Sequence, residues 1–499
     1  MPLPRFQAYI DGVFEPGEAT FDSIDPSTGS AWAVMPAATA AEVDRAVRAA
    51  HRALTDPAWA GLTASARGTL LNRLGDLVAE HSGRLAELET RDTGKIIRET
   101  SAQIGYVAQY YRYYGGLADK VEGAYLPVDK ADMEAFLRRE PIGVVAAVVP
   151  WNSQLFLSAV KLGPALAAGC TVVLKASEDG PAPLLEFARL VEQAGFPKGV
   201  VNIVTGFGDE CGRTLTSHPL VSRVAFTGGP ATARHVVRNT AANLAYTTLE
   251  LGGKSPVVVF DDANLESAAN AVVAGVFAAS GQSCVAGSRL LVERTVHTRL
   301  LDVLTRKAKA IRIGDPQDRA TEMGPLATAR QIAHIEDVVA RSLEAGARLV
   351  TGGRRPEGLD GGPDGVLGDG FYYEPTILAC ADQSVACVRE ELFGPVLSVI
   401  PFDGEEDAVA KANDSEFGLA SGVFTNNLTR AHRMIRRIRA GVVWVNTYRA
   451  VSPIVPFGGY GLSGLGREGG LEAVLDYTRT KSVWIRTSDE PIADPFVMR

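Results

Sequence analysis

The sequence predicts an α/β protein of at least two domains, and three observations predict it. From Gly143 onward, short apolar runs alternate with helical stretches: Val144 to Val149, Thr171 to Leu174, Val200 to Val204, Val224 to Phe226 and Thr247 to Leu249. Such alternation builds a parallel sheet covered by helices. A second alternating block runs from Ser255 to about Val445 and includes Val257 to Phe260, Ser288 to Val292, Val396 to Ile400 and Val442 to Val445. The length of 499 residues exceeds what one hydrophobic core normally serves.

Ahead of the first block, Thr39-Ala40-Ala41-Glu42 reads as a capping box, followed by Val43, Ala46, Val47, Ala50 and Leu54 at helical spacing. The helical texture continues from Leu70 to Leu88 and into Tyr106, Tyr110, Tyr111, Tyr113 and Tyr114. This aromatic stripe is expected to pack a long helix into the core, and part of it could wall a tunnel. The Gly/Pro/Asp-rich segment Gly352 to Gly370 reads as an exposed loop.

The balance of 50 basic and 58 acidic side chains gives a net charge of −8 without long runs of one sign, which argues against nucleic acid as the main partner. No signal-peptide core follows Met1, and nowhere do about 18 uncharged apolar residues run together as a membrane span needs. A cytoplasmic address, with no membrane partner, is expected. Cys170, Cys211, Cys284, Cys380 and Cys387 lack zinc-ligand spacing and are odd in number, so free thiols and no metal site are expected.

Gly281-Gln282-Ser283-Cys284 offers a thiolate nucleophile, Leu249-Glu250-Leu251-Gly252-Gly253-Lys254 a carboxylate base, and Pro150-Trp151-Asn152 an amide donor for an oxyanion. A covalent acyl-transfer centre needs those three parts. A lone cysteine would read as a small buried hydrophobe. The strand ends carry the rest of the polar motifs: Pro150-Trp151-Asn152, Lys175, Thr227-Gly228-Gly229 and Glu250 all fall where ligands of such sheets sit. Gly206-Phe207-Gly208 with Gly212 approaches a dinucleotide fingerprint but misses its final spacing.

Together with Tyr9-Ile10-Asp11-Gly12, Phe226-Thr227-Gly228, Glu391-Leu392-Phe393-Gly394-Pro395 and Pro456-Phe457-Gly458-Gly459, these motifs resemble the aldehyde dehydrogenase superfamily over most of the chain. The resemblance implies a Rossmann-like dinucleotide-binding domain (residues 1–122 and 142–252), an α/β catalytic domain (253–462) and a small β oligomerisation element (123–141 and 478–499). The segments Ala135 to Glu140 and Lys481 to Ile485 match those that bridge subunits, so a homodimer or a tetramer of dimers is expected.

It further implies NAD as cofactor, held by Trp151, Lys175, Glu178, Gly208, Phe226, Thr227, Gly228, Gly229, Leu251, Glu391 and Phe393. Gly229 stands where a serine is common and Ala233 where a glycine closes the motif, which leaves only backbone NH groups for phosphate. Glu178 would accept from a free 2′-hydroxyl and repel a 2′-phosphate, favouring NAD over NADP.

By resemblance, Cys284 attacks an aldehyde, Asn152 and the Cys284 amide hold the oxyanion, and Glu250 hydrolyses the thioester. The superfamily's CoA-acylating members lack that glutamate. Lys161 and Glu468 are either a proton relay or a structural ion pair. The substrate tunnel is expected among Ser153, Gln154, Phe156, Leu157, Val160, Ser283, Val285, Tyr448, Val451 and Phe457. This mostly apolar set points to a medium or bulky apolar aldehyde, aromatic, terpenoid or long aliphatic. A carboxylate-bearing semialdehyde is the alternative, with Arg449 or Arg112 as its anchor.

Overall fold

The computed structural model describes residues 2–359, 367, 369–491 and 496. The capping box forms as read: the Thr39 hydroxyl accepts from the Glu42 amide, and the Glu42 carboxylate accepts from the Thr39 amide at 2.8 Å. The helix it opens, Ala40–Ala53, buries Val43, Ala46, Val47 and Ala50. The following helical stretch is broken into Ala64–Glu80, Ser82–Thr93 and Ile97–Leu117, the second ending at Gly94 in the left-handed region. On Ile97–Leu117, Tyr110, Tyr111 and Tyr114 are core residues, and Tyr110 and Tyr111 meet the rings of Phe156 and Phe187. Core packing is therefore their role, while Tyr106 and Tyr113 are only partly covered.

The first block forms an eight-stranded sheet. Its parallel strands lie in the order Val201–Thr205, Thr171–Ala176, Val144–Val148, Val221–Gly228, Tyr246–Leu251. Strand order reverses between Val144–Val148 and Val221–Gly228, and a doubly wound sheet binds ligands beyond the carboxyl ends of the strands at such a switch point. Helices cover both faces, which is why the strands read as unbroken apolar runs instead of alternating ones. Ala8–Ile10 and Val13–Glu15 extend one edge antiparallel.

The other edge was not legible. Gly464–Leu465 returns from far along the chain and pairs antiparallel with Tyr246–Leu251, placing Gly464 opposite Glu250. Ser463 locks the crossing, its hydroxyl donating to the Gly252 carbonyl at 2.7 Å and accepting from the Gly418 amide at 3.0 Å.

The second block forms a seven-stranded sheet in the order Arg348–Thr351, Thr376–Ala379, Val396–Phe402, Arg289–Glu293, Pro256–Val259, Ala420–Phe424, Val442–Val445, parallel except for the first. The sequence reading missed Ala420–Phe424, whose Ala-Ser-Gly start has little β preference, although every residue of it is buried.

Ala124–Leu126, Met133–Pro141 and Thr478–Arg486 form a three-stranded antiparallel sheet. The two segments expected to bridge subunits pair with each other inside one chain, Val483 opposite Phe136, and leave Thr478–Arg486 as an edge strand with Trp484 and Ile485 exposed. Of the Gly352 to Gly370 loop, 360–366 and 368 lie outside the described residues, as do 492–495 and 497–499 of the expected oligomerisation element.

Gly464 has φ +135°, and a Cβ there would lie 1.9 Å from the Leu249 carbonyl oxygen. Gly464→Ala must push the returning strand off Tyr246–Leu251. We expect a loss of about 1–3 kcal/mol in thermal unfolding, together with lost activity. Wild-type melting and turnover would show that the pairing does not constrain the site.

Candidate active site

Cys284 stands in a loop entered through three consecutive left-handed residues: Ala279 (φ 52°), Ser280 (φ 53°) and Gly281 (φ 76°). Such backbone costs about 1–3 kcal/mol at each non-glycine position and persists only where surroundings enforce it. Here both carboxylate oxygens of Glu99 accept from the Ala279 amide at 3.0 Å, and the Ser280 hydroxyl donates to the Gly324 carbonyl at 2.8 Å. Gly281 abuts Gly394, where a Cβ would lie 2.0 Å from the carbonyl oxygen, so the nucleophile loop and the Glu391 to Pro395 motif are in direct contact. Cys284 as a residue is half-buried, with its thiol on the enclosed side, and Tyr448 braces the loop by donating to the Val285 carbonyl at 2.9 Å. Asn152 approaches from the other sheet, its Nδ2 donating to the Gln282 carbonyl at 3.0 Å.

Glu250 ends its strand buried, and neither carboxylate oxygen has a hydrogen-bond partner. Burial, reinforced by the nearby Glu468 carboxylate, holds its pKa well above the usual carboxylate range, with Lys161 and Arg467 pulling the other way. Burial also pushes the Cys284 thiol up to about 12, and the charges of Glu391 and Glu250 add to it; the Val285 amide and Arg449 oppose them. Lys161 and Glu468 form a buried ion pair beside Glu250. Glu391, raised by burial to about 7, accepts from the Gly253 amide at 3.0 Å.

A dinucleotide is the group implied, and the residues present fit one. The buried Thr227 hydroxyl, at the end of its strand, has no partner. The backbone at Gly208 and at Gly229, which caps the helix Pro230–Thr240, faces open space. Lys175 donates to the Ala176 carbonyl at 3.1 Å and to Glu178 at 3.4 Å, and the Glu178 carboxylate is partly exposed. Trp151 and Phe393 meet edge to face at 5.5 Å. Leu251 is buried. Phe226 is 3 % exposed, with its ring packed against Gly228.

The expected tunnel residues divide. Val285 and Phe457 pack with Trp444 and Tyr448 around Cys284. Phe156 and Leu157 are partly buried, Val160 nearly fully, and Ser283 stays partly open. Val451 is exposed, and its carbonyl accepts from the Tyr106 hydroxyl at 3.1 Å. Gln154 is fully buried; its amide lies by Gly180, among Thr93 and Asp92, and neither amide atom has a hydrogen-bond partner.

Ser153 belongs to a polar network that sequence reasoning missed. Its hydroxyl donates to the Asn152 carbonyl at 2.6 Å and accepts from Lys95 at 3.3 Å and Gln103 at 3.2 Å, while Lys95 is paired with the buried Glu89. Arg112 is drawn to Asp76 on the surface, away from the site, whereas the field of Arg449 reaches Cys284. Glu99, Lys95 and Gln103 carry no local signature; each is linked to the site by a contact across tens to hundreds of residues.

A family model described as the aldehyde dehydrogenase family matches residues 14–483, and the chain belongs to that family. It is 62 % identical over 498 residues, all of both chains, to (Z)-2-((N-methylformamido)methylene)-5-hydroxybutyrolactone dehydrogenase of Acinetobacter baylyi. Among solved structures it is similar to PnpE of Pseudomonas sp. WBC-3 (44 % identity, 99 % of each chain, TM-score 0.94), which has also been solved with nicotinamide adenine dinucleotide. It is also similar to the NAD+ complex of an aldehyde dehydrogenase from Bacillus cereus (38 % identity, 97 % of each chain, TM-score 0.93). Among the described residues no helix is long and apolar enough to cross a membrane.

A protonated Glu250 cannot accept a proton, and its raised pKa shifts the ionised, competent form to higher pH. We expect kcat/KM to rise with pH over a range well above that of an ordinary carboxylate in a stopped-flow or steady-state profile. A profile already flat at acidic pH would contradict the raised base.

Proposed function

We propose that this chain oxidises an aldehyde to a carboxylic acid with NAD, through a covalent acyl intermediate on Cys284. The observation that carries the reading is the junction of the two sheets, where Asn152 is tied to the Cys284 loop and Glu250 lies close enough for its charge to act on the Cys284 thiol. With the thiol so high, attack and deprotonation are coupled: Glu250 takes the thiol proton, directly or through water, as sulfur bonds to the carbonyl carbon. The oxyanion so formed is met by the second N–H of the Asn152 amide and the Cys284 backbone amide. NAD, when bound by Trp151, Lys175, Glu178, Thr227, Gly229, Glu391 and Phe393, supplies the two-electron acceptor. Glu250 then activates water against the Cys284 thioester, and the Lys161–Glu468 pair beside it offers a path for the proton. Glu250 also supports hydrolysis over transfer to CoA.

The substrate we infer is a carboxylate-bearing semialdehyde, or the hydroxylactone into which such a compound closes. A 5-hydroxybutyrolactone is the cyclic form of a 4-oxo acid, and the 62 % identical relative is named for such a compound. The Ser153–Gln103–Lys95 network beside Asn152 supports a polar ligand, while the Arg449 guanidinium donates to the Ala274 carbonyl at 2.8 Å. An apolar aldehyde is the second reading, favoured by Val285, Trp444 and Phe457 around Cys284. The exposed edge strand Thr478–Arg486 supports assembly as a dimer or a tetramer of dimers.

An aldehyde panel followed by NADH absorbance, with and without CoA, tests this. We expect the highest kcat/KM for 4-oxo acids, no effect of CoA, and weaker use of NADP. Preference for aromatic or long aliphatic aldehydes would select the second reading, and CoA-dependent turnover would overturn the hydrolytic one.

A further inference from the structure

We propose that Glu99 is a positioning residue for the nucleophile, a part that nothing in the Cys284 motif itself supplies. It lies on the helix Ile97–Leu117, which belongs to the first half of the chain, and it reaches 180 residues along the sequence to the turn ahead of Cys284. That turn places two non-glycine residues, Ala279 and Ser280, in left-handed conformation (φ/ψ 52°/30° and 53°/33°), which L-residues disfavour. An unfavourable conformation is kept only by contacts that would be lost on relaxing, and the Glu99 carboxylate, with both oxygens 3.0 Å from the Ala279 amide, is the charge-assisted one.

The turn feeds directly into the site. The Ala279 carbonyl accepts from the Gln282 amide at 3.0 Å, and the Gln282 carbonyl is the acceptor of the Asn152 side chain. Relaxation at Ala279 therefore displaces Cys284 and the anchor of Asn152 together. The same helix face repeats the device. Gln103, one turn on, donates to the Ser153 hydroxyl beside Asn152, and Tyr106 donates to the Val451 carbonyl. Spacing of i, i+4 and i+7 puts the three side chains on one stripe. The opposite side of the helix is fixed by buried Ile104 and Ala108. One rigid helix thus holds three separate segments of the site in register.

This inference rests on Cys284 being the nucleophile. The test measures two things on the full-length protein: kcat for the panel aldehyde oxidised fastest, and the rate of Cys284 alkylation by iodoacetamide, followed by peptide mass spectrometry. NAD affinity and thermal melting are recorded alongside. Glu99→Ala should lower kcat by at least about tenfold and alter the alkylation rate, with NAD affinity within about twofold of wild type. Glu99→Gln, which keeps an oxygen for the Ala279 amide, should recover most of kcat. Ala279→Gly placed on Glu99→Ala should also recover part, because glycine adopts the left-handed turn without strain.

Wild-type kcat and alkylation in Glu99→Ala, or a failure of the glycine rescue, would overturn the proposal. A role limited to the helix N-terminus would make Glu99→Gln as poor as Glu99→Ala, which also overturns it. If Cys284→Ala retained turnover, the nucleophile reading would fail instead; a dead Cys284→Ala beside a normal Glu99→Ala would sink the positioning role alone.

Discussion

The site brings three acids, Cys284, Glu250 and Glu391, into a water-poor space that favours few negative charges. Burial raises all three, and Glu391 and Glu250 both push the Cys284 thiol further upward. A resting thiolate is therefore disfavoured, and in the proposed reaction the proton of Cys284 leaves as the sulfur–carbon bond forms. Much of the surrounding architecture answers that constraint. Arg449 and the Val285 amide favour negative sulfur, and the Lys161–Glu468 pair places a positive charge and a second acid beside the base. In the proposed reaction the oxyanion inherits the single negative charge, to be met by the Asn152 N–H not engaged by the Gln282 carbonyl.

The fold meets the constraint by making the two sheets share one edge of chemistry. The first sheet presents Asn152, Thr227 and Glu250 at its carboxyl ends, and the second half of the chain supplies Cys284 and Glu391. Gly464–Leu465 then crosses back onto the Glu250 strand, and Glu468 arrives with it beside Lys161. Glycines occur where chain segments touch without side chains between them. A Cβ at Gly252 would overlap the Glu391 carboxylate, and one at Gly281 would overlap Gly394. The cost is strained backbone at Ala279, Ser280 and Phe393, all within this junction.

Cys284, Glu250 and Asn152 were legible because their residue types sit in short motifs at predicted strand ends, and the structure brings the Asn152 and Cys284 segments into contact. The parallel strands were legible because full burial removes alternation and leaves apolar runs. What sequence did not carry was direction and long-range partnership. Gln154 follows Ser153 in an apparent pocket motif, yet one step along a helix start turns it toward Gly180. Phe226 stands in the cofactor motif, yet strand alternation turns its ring beneath Gly228. Glu99 has no local signal in the sequence, since its partner is 180 residues away. The pairing of Gly464 with Glu250 had no local signal either, because a two-residue strand has no periodicity to read.

The central claim is that Cys284 carries the acyl group and Glu250 releases it. Mass spectrometry of Glu250→Gln, mixed with NAD and an aldehyde that the wild type oxidises, tests this most directly. The account predicts a burst of NADH followed by an acyl adduct that accumulates on the Cys284 peptide. Continued turnover without any adduct would contradict it.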